Sequence, residues 1–302
     1  MNNIIPCEWV LTMAIKNKVI SVITLAFAIL SSPAWSGTQF YGARIDEAKW
    51  RSSGTRLECR LSQDIPGYGK AGFHLRALKS MEFRVSPNYQ PRVSDQALMF
   101  VSPPIWKLYE NGKVLGRVPV TTQKDAIVVP EDWAYRMALE LREGLETVWT
   151  HSDWADGQDT VIAKVLPIRF EAAWRDFQQC GKNLIDYGFT DIRSSTFYFG
   201  KKSMRLAANE KAYLDKLAEY VLLDTDYQHI KIQSHTDSRG VRGKNLAISK
   251  KRANMVKNYL IKKGVNPKRF IIVAKGEKKP KYNNRTKSGR AKNRRVEVRL
   301  VK

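Results

Sequence analysis

The sequence predicts an α+β chain, with a mainly antiparallel β domain followed by a small β-α-β-α-β-β sandwich. Three observations point there. The net charge of +23 is uneven: residues 201–302 hold 29 Lys/Arg against 8 Asp/Glu, whereas residues 37–200 hold 21 against 20. All eight tryptophans precede residue 175. Up to about residue 180 short apolar segments are broken by turn formers, and beyond it strand-like and helix-like periods alternate. Two differently built domains account for all three. They are assigned to residues 37–190 and 191–302, after a leader at 1–36.

The leader has the pattern of a secretory signal. Lys16 and Lys18 precede an apolar run from Val19 to Leu30, and Ala34 and Ser36 are the small residues at −3 and −1 if cleavage follows Ser36. The run is short for a membrane span, so no stable span is expected after cleavage; an uncleaved anchor is the alternative. No cysteine follows the run to carry a lipid, and the residues before Met13 read as an upstream start. Export bears on the basic charge, because an exported protein meets no chromosome. A polyanionic surface such as the cell wall suits the charge better than nucleic acid. Cys7 falls in the leader, which leaves Cys59 and Cys180 as an even pair in an oxidising compartment. Bridged, they close a loop of about 120 residues; two buried free thiols are the alternative.

In the first domain, Met81-Glu82-Phe83-Arg84-Val85 alternates as a strand does. Asn111-Gly112, between Trp106–Tyr109 and Val114–Val118, signals a hairpin. Trp133–Leu145 is helical, with Ala134, Met137, Ala138, Leu141 and Leu145 on one stripe, acids at its start and Gly144 near its end. Ile162–Trp174 reads as a late strand plus loop. In the second domain, Ser195–Phe199 is a strand and Ala207–Leu223 a helix with Leu214, Leu217, Ala218, Val221 and Leu222 inward. Strand Gln228–Gln233 follows. A helix bearing Ala253, Val256 and Leu260 begins near Asn245 and ends at Gly264. Phe270–Ala274 and Arg295–Leu300 complete the strands. The basic stretch between them reads as a surface loop with a short helix.

Ser234-His235-Thr236-Asp237 lies at the end of the second of these strands, and Arg252 follows fifteen positions after Asp237, inside the helix. Strand, loop and helix folding back would bring an acid and a base together. A carboxylate facing a guanidinium across a gap fits a zwitterionic amino-acid centre, the acid taking its ammonium and the base its carboxylate. The alternative is an internal salt bridge. Nothing points to an enzyme or a cofactor. Nucleophile elbow, zinc-binding helix and phosphate loop are all missing, and no pair of acids stands out for glycan cleavage. His235 reads as structural. His74, His151, His229 and His235 form no metal spacing, and Asp153, Asp156 and Asp159 read as a solvated turn.

The stretch from Ile230 to Val298 resembles the OmpA-like peptidoglycan-binding family. The resemblance rests on His235-Thr236-Asp237, Asn245, Leu246 with Arg252-Ala253, Gly264, and Gly289-Arg290-Ala291-Lys292-Asn293-Arg294-Arg295-Val296-Glu297. It implies that Asp237 and Arg252 grip the diaminopimelate of the wall's stem peptide, with Asn245 nearby. Thr236, Arg294 and Arg295 would support them. Two positions depart from the family pattern. Ser234 replaces a usual Gly, and Gly200 with Lys201 stands in the first loop where an Asp is common.

The residues before this stretch, notably Cys59-Arg60-Leu61-Ser62-Gln63-Asp64-Ile65-Pro66-Gly67-Tyr68-Gly69-Lys70-Ala71-Gly72-Phe73 and the later Cys180, resemble the T-ring proteins of bacterial flagellar motors. That resemblance implies a non-enzymatic periplasmic protein. Its first domain would meet basal-body ring proteins and the stator complex, while its second holds peptidoglycan. A wall-tethering protein without a motor role is the alternative.

Overall fold

The computed structural model describes residues 37–302 apart from 93, 108–111, 155–156 and 225. The leader, the turn at Asn111 and Asp156 lie outside the described residues. Ten strands form the first sheet: β1 (Thr38–Tyr41), β2 (Trp50–Gly54), β3 (Glu58–Ile65), β4 (Gly69–Arg76), β5 (Glu82–Pro87), β6 (Asp95–Ser102), β7 (Lys113–Val120), β8 (Ile127–Val129), β9 (Glu146–Ser152) and β10 (Thr160–Val165). Their order is β1-β10-β9-β6-β7-β8-β5-β4-β3-β2. The strands run antiparallel except that β1 lies parallel to β10. Alternation is plain in β3, where Cys59, Leu61, Gln63 and Ile65 are buried between less buried neighbours. Gln63, a polar residue in that inward row, is fully satisfied. It donates to the Leu166 carbonyl at 3.1 Å and accepts from the Leu166 N–H at 2.8 Å, and so ties β3 to the chain leaving β10.

Two helices pack on this core. Helix α1 (Glu131–Arg142) buries Ala134, Met137, Ala138 and Leu141, the stripe expected from the sequence, and Gly144 follows it at φ +84°. The second corrects the expectation for Ile162–Trp174. Only Thr160–Val165 is strand, and from Phe170 to Lys182 the chain is helix α2. Phe170, Ala173, Trp174 and Phe177 recur at helical spacing, and their rings pack with Trp50 and Phe73. The hairpin reading is also revised. Strand β7 pairs with β6, aligning Ala97 with Val118 and Met99 with Gly116, whereas Trp106 lies in a turn. Ser102-Pro103-Pro104 ends β6, because proline cannot donate to a ladder.

The second sheet has four strands in the order β11 (Ser194–Tyr198), β14 (Arg295–Val301), β12 (His229–His235) and β13 (Phe270–Gly276). Helices α4 (Ala208–Leu223) and α5 (Arg242–Lys262) share one core with it, built from Leu214, Leu217, Val221, Val256 and Leu260 against Ile230, Ile232, Val296, Val298 and Leu300. A one-turn helix α3 (Phe189–Ile192) precedes β11, and a short helix α6 (Lys287–Asn293) lies in the basic stretch before β14. The fold class is therefore α+β, with helices and strands alternating only in the second part.

The two sheets are joined by more than the chain. Leu57 and Ala77, beside β3 and β4, belong to the second core. Arg76 pairs at 2.9 Å with Asp224, which is 3% exposed and also takes Lys302 at 2.8 Å and the Tyr220 hydroxyl at 2.7 Å. Arg56 pairs with Glu219, and the Ile185 N–H donates to the Arg56 carbonyl at 2.8 Å. The described residues from Gly37 to Lys302 accordingly belong to one compact unit.

Cys59 on β3 and Cys180 in α2 are bridged, with Cα atoms 6.0 Å apart and 121 positions between them in sequence. The bridge pins the last helix of the first part to its sheet. Loop-closure entropy sets an upper figure of roughly 5 kcal/mol for such a loop. Denaturant unfolding of oxidised and reduced protein is expected to differ in that direction, the reduced form unfolding at clearly lower denaturant. Identical midpoints would show that the bridge adds nothing.

Candidate ligand-binding site

Strand β12 delivers Ser234, His235, Thr236 and Asp237 to one end of the second sheet, all four buried. The Thr236 N–H donates to the Gly276 carbonyl at 2.8 Å, and the Gly276 N–H donates to Ser249 Oγ at 3.1 Å. Gly276 has φ +56°, and a Cβ there would sit 3.2 Å from the Leu246 nitrogen. Glycine therefore lets the strand end approach helix α5 closely. Along α5, Asn245, Ser249 and Arg252 are all buried at i, i+4 and i+7, a polar stripe beside the apolar one of Ala253, Val256 and Leu260.

Arg252 is 1% exposed. Its Nε donates to the Ser203 carbonyl at 3.2 Å and its Nη2 to the Gly200 carbonyl at 3.0 Å, and the guanidinium lies 4.9 Å from the centre of the Phe199 ring. Its Nη1 is buried without a partner. Burial above all, and then the charge of Arg294, pushes the Arg252 guanidinium down to about 10, while Asp237 pulls the other way. Asp237 itself is 8% exposed. Its direct ion-pair partner is Arg294 at 2.8 Å, and the Arg239 N–H donates to its other oxygen at 3.2 Å. Arg294 Nε also donates to the Phe199 carbonyl at 2.9 Å.

The centre is thus one carboxylate and two guanidiniums, Asp237, Arg252 and Arg294, where the sequence suggested a simple facing pair. One positive charge is left over, and one buried N–H group lacks an acceptor. Both features favour an anionic oxygen as guest. The loop after β11, which carries Gly200 and Lys201 in place of an acid, contributes backbone carbonyls to Arg252.

The other expected residues fall in different places. Asn245 donates to Glu277 at 2.7 Å and reaches the Asp237 carbonyl at 3.5 Å, so it braces the loop from below. The Thr236 hydroxyl is buried and unpartnered. Arg295 is not brought to Asp237: its Nε binds Glu297 at 2.7 Å, and it lies near His235. Asn293 takes the N–H groups of Lys281 and Tyr282 on its Oδ1, both at 3.0 Å, and shapes the basic stretch. Sequence reasoning missed Ser249, Glu277 and the two carbonyls of the Gly200–Ser203 loop that reach Arg252, having noted in that loop only Gly200 and Lys201 in place of an acid. Of these only Ser249 had a signal, its helical spacing from Asn245 and Arg252. Among the described residues no group of three His, Cys, Asp or Glu is placed to hold a metal, and no helix is long and apolar enough to cross a membrane.

Two known families match separate stretches of the chain. Residues 41–185 match the MotY N-terminal domain, and residues 198–294 match the OmpA family. Over 121 residues the chain is 32% identical to the outer-membrane lipoprotein YfiB of Pseudomonas aeruginosa, covering 40% of this chain and 71% of that protein. The chain belongs to the OmpA family, joined here to a MotY N-terminal domain. It is also 25% identical over 263 residues to the sodium-type flagellar protein MotY of Vibrio parahaemolyticus, covering 86% of this chain and 89% of that one. The peptidoglycan-associated lipoprotein of Pseudomonas aeruginosa is 35% identical over 104 residues, which are 34% of this chain and 61% of that protein. The Asp237–Arg252–Arg294 centre falls inside the OmpA match.

His235 bonds through Nδ1 to the Lys278 carbonyl at 3.1 Å and through Nε2 to the Gln233 amide at 3.0 Å. Burial first, and the charge of Arg295 second, hold its imidazole below the ordinary 6.5. The unfolded imidazole gains its proton at the higher pH. The stability His235 contributes is therefore full above about pH 6.5 and is lost as pH falls below it. His235→Gln is expected to flatten the fall in unfolding free energy between pH 7 and 5, by at most about 1.4 kcal/mol per pH unit. Parallel pH profiles for the two proteins would refute the assignment.

Proposed function

We propose that this chain is a non-enzymatic periplasmic component of a flagellar motor that grips peptidoglycan through residues 191–302. The observation that carries the reading is the buried centre of one acid and two arginines with an unpartnered Arg252 Nη1, lying within the OmpA match. A diaminopimelate end group bears an ammonium and a carboxylate on one carbon. The carboxylate would meet the unpartnered Arg252 nitrogen, and the ammonium would share Asp237 with Arg294. A carboxylate has about four lone-pair directions, so Asp237 can accept both. Arg252 and Asp237 are the binding residues in this reading. Asn245 and Thr236 hold the loop, Arg294 orients Asp237, and Arg295 steadies the strand end.

The strongly basic surface of residues 201–302 would add long-range attraction to an anionic wall, weakening with salt. Residues 37–190 would attach to basal-body rings as part of a T ring and help recruit stator units. Support for that half is the MotY N-terminal match and the similarity to a sodium-type flagellar protein across most of the chain. A motor needs a fixed point to exert torque, and the wall is the stiff element outside the inner membrane. One small-ligand grip is weak, but a ring of copies adds avidity without any new contact. The lipoproteins among the relatives favour a second reading, a general wall tether with no motor role. Deleting the gene separates the two. Loss of swimming with assembled flagella supports the motor, whereas envelope defects with normal swimming support the tether.

Asp237→Asn and Arg252→Gln each remove one charge of the centre and leave an amide of similar shape in its place. Each is expected to weaken pull-down by purified sacculi by about 2–5 kcal/mol, the usual consequence of breaking one side of a desolvated charge pair. Circular dichroism should remain native. Undiminished pull-down by both folded variants would remove the site assignment.

A further inference from the structure

The first domain contains a cavity that the wall-peptide site does not use. About 310 Å³ in volume, it lies where the β3–β4, β5–β6 and β9–β10 connections meet β1. Its size is in the range of small-ligand pockets. The wall is aromatic, and its polar edges are tied down. Trp149 Nε1 donates to the Tyr68 hydroxyl at 2.9 Å, and that hydroxyl lies 3.0 Å from His151 Nε2. His151 Nδ1 lies 2.7 Å from the Ser152 carbonyl. A carbonyl only accepts, so Nδ1 carries the proton, Nε2 accepts from Tyr68, and the ring is neutral. Burial, which pushes the His151 imidazole down, acts in the same direction. Trp154 stacks on His151 with centroids 4.1 Å apart and planes 10° apart. Tyr41 donates to Gln39 at 2.7 Å, and Gln39 in turn donates to Asp153 at 2.9 Å.

These bonds fix the rings of Tyr41 and Tyr68 and use up most of their polar edges, and stacking on His151 holds Trp154, which leaves ring faces as the recognition surface. The buried Trp154 N–H is the exception, having no acceptor. At the rim, Tyr89 is 82% exposed, with Gln90 and Arg92 beside it, both exposed. In charge the lining is balanced, one arginine against one aspartate with His151 neutral, unlike the basic second domain. A balanced, aromatic cavity with amide and charged groups at its edge suits a guest that is uncharged, flat-faced and polar around its circumference. A pyranose has that chemistry. Its axial C–H groups carry slight positive charge and match the negative face of an aromatic ring, and its hydroxyls project toward the edge.

We propose that this cavity binds a neutral sugar ring, so that the first domain contacts the glycan of the same polymer whose peptide the second domain holds. The choice of a wall sugar rests on the peptidoglycan reading; the cavity's preference for a pyranose does not. The test uses the purified full chain and a β-1,4-linked trimer of N-acetylglucosamine, which carries no stem peptide. Calorimetric titration is expected to show saturable binding at millimolar sugar. Tyr89→Ala, at an exposed position that folding does not need, and Trp154→Ala should each weaken it about tenfold. Asp237→Asn should leave it unchanged while weakening sacculus pull-down, so failure of the peptide site and failure of the sugar site are read separately. No saturable binding, or binding unaltered in both aromatic variants, would overturn the proposal. So would binding of indole or phenol with none of the trimer.

Discussion

A guanidinium buried to 1% exposure on the inner face of a helix is the constraint around which the second domain is arranged. A charge taken out of water is costly unless it is hydrogen-bonded and balanced. The protein meets that requirement for Arg252 only in part. The loop after β11 turns two carbonyls toward it, Phe199 presents its ring, and Asp237 supplies negative charge that it also shares with Arg294. What remains is one N–H without an acceptor and one positive charge in excess. In a binding site they are what a carboxylate-bearing guest completes.

The rest of that domain follows from positioning this centre. Gly276 lets β13 come close enough to α5 for Ser249 to bond its backbone, and Thr236 then bonds Gly276. Asn245, Ser249 and Arg252 occupy successive turns on the same side of α5, so one helix face both braces the loop and carries the buried guanidinium. Asn293, two residues before β14, shapes the loop across from it by taking two backbone N–H groups. Arg294, next in the chain, is left aimed at Asp237.

The first domain solves a different problem. Its ten-stranded sheet is long and open, and such sheets leave edges and ends to be secured. Gln63 ties β3 to the chain after β10, the disulfide ties β3 to α2, and α2 lays a row of aromatic rings against the sheet's inner face. The ion pairs around Asp224 and Glu219 then join this body to the second one. Such a joint makes the two sheets move as one body, because load borne by one half reaches the other without bending the chain between them.

Much of this could be read from the sequence, for reasons that lie in local chemistry. The alternation of Ile230–Gln233, the helical stripe of Leu214, Leu217 and Val221, and the Gly264 stop are set by side chains within a few residues of one another, so their periods survive in the linear order. The two-domain expectation came from charge and tryptophan content, which are simple sums and say nothing of the contacts around Asp224 and Glu219 that join the two sheets. The loop expected in the second half of Ile162–Trp174 is helix instead, because Phe170, Ala173, Trp174 and Phe177 are apolar enough for more than one element. Only the sheet beneath them, with Trp50 and Phe73 waiting, favours the helix. The partner of β7 was misread because a strong turn signal says where a chain reverses but not which strand it returns to. Asp237 and Arg252 were legible as chemistry but not as geometry. Residue types and spacing show that an acid and a base can meet, but which base the acid chooses depends on Arg294, 57 positions away along the chain. Contacts at that range are decided by the packing of the whole sheet, and only the tertiary structure holds that information.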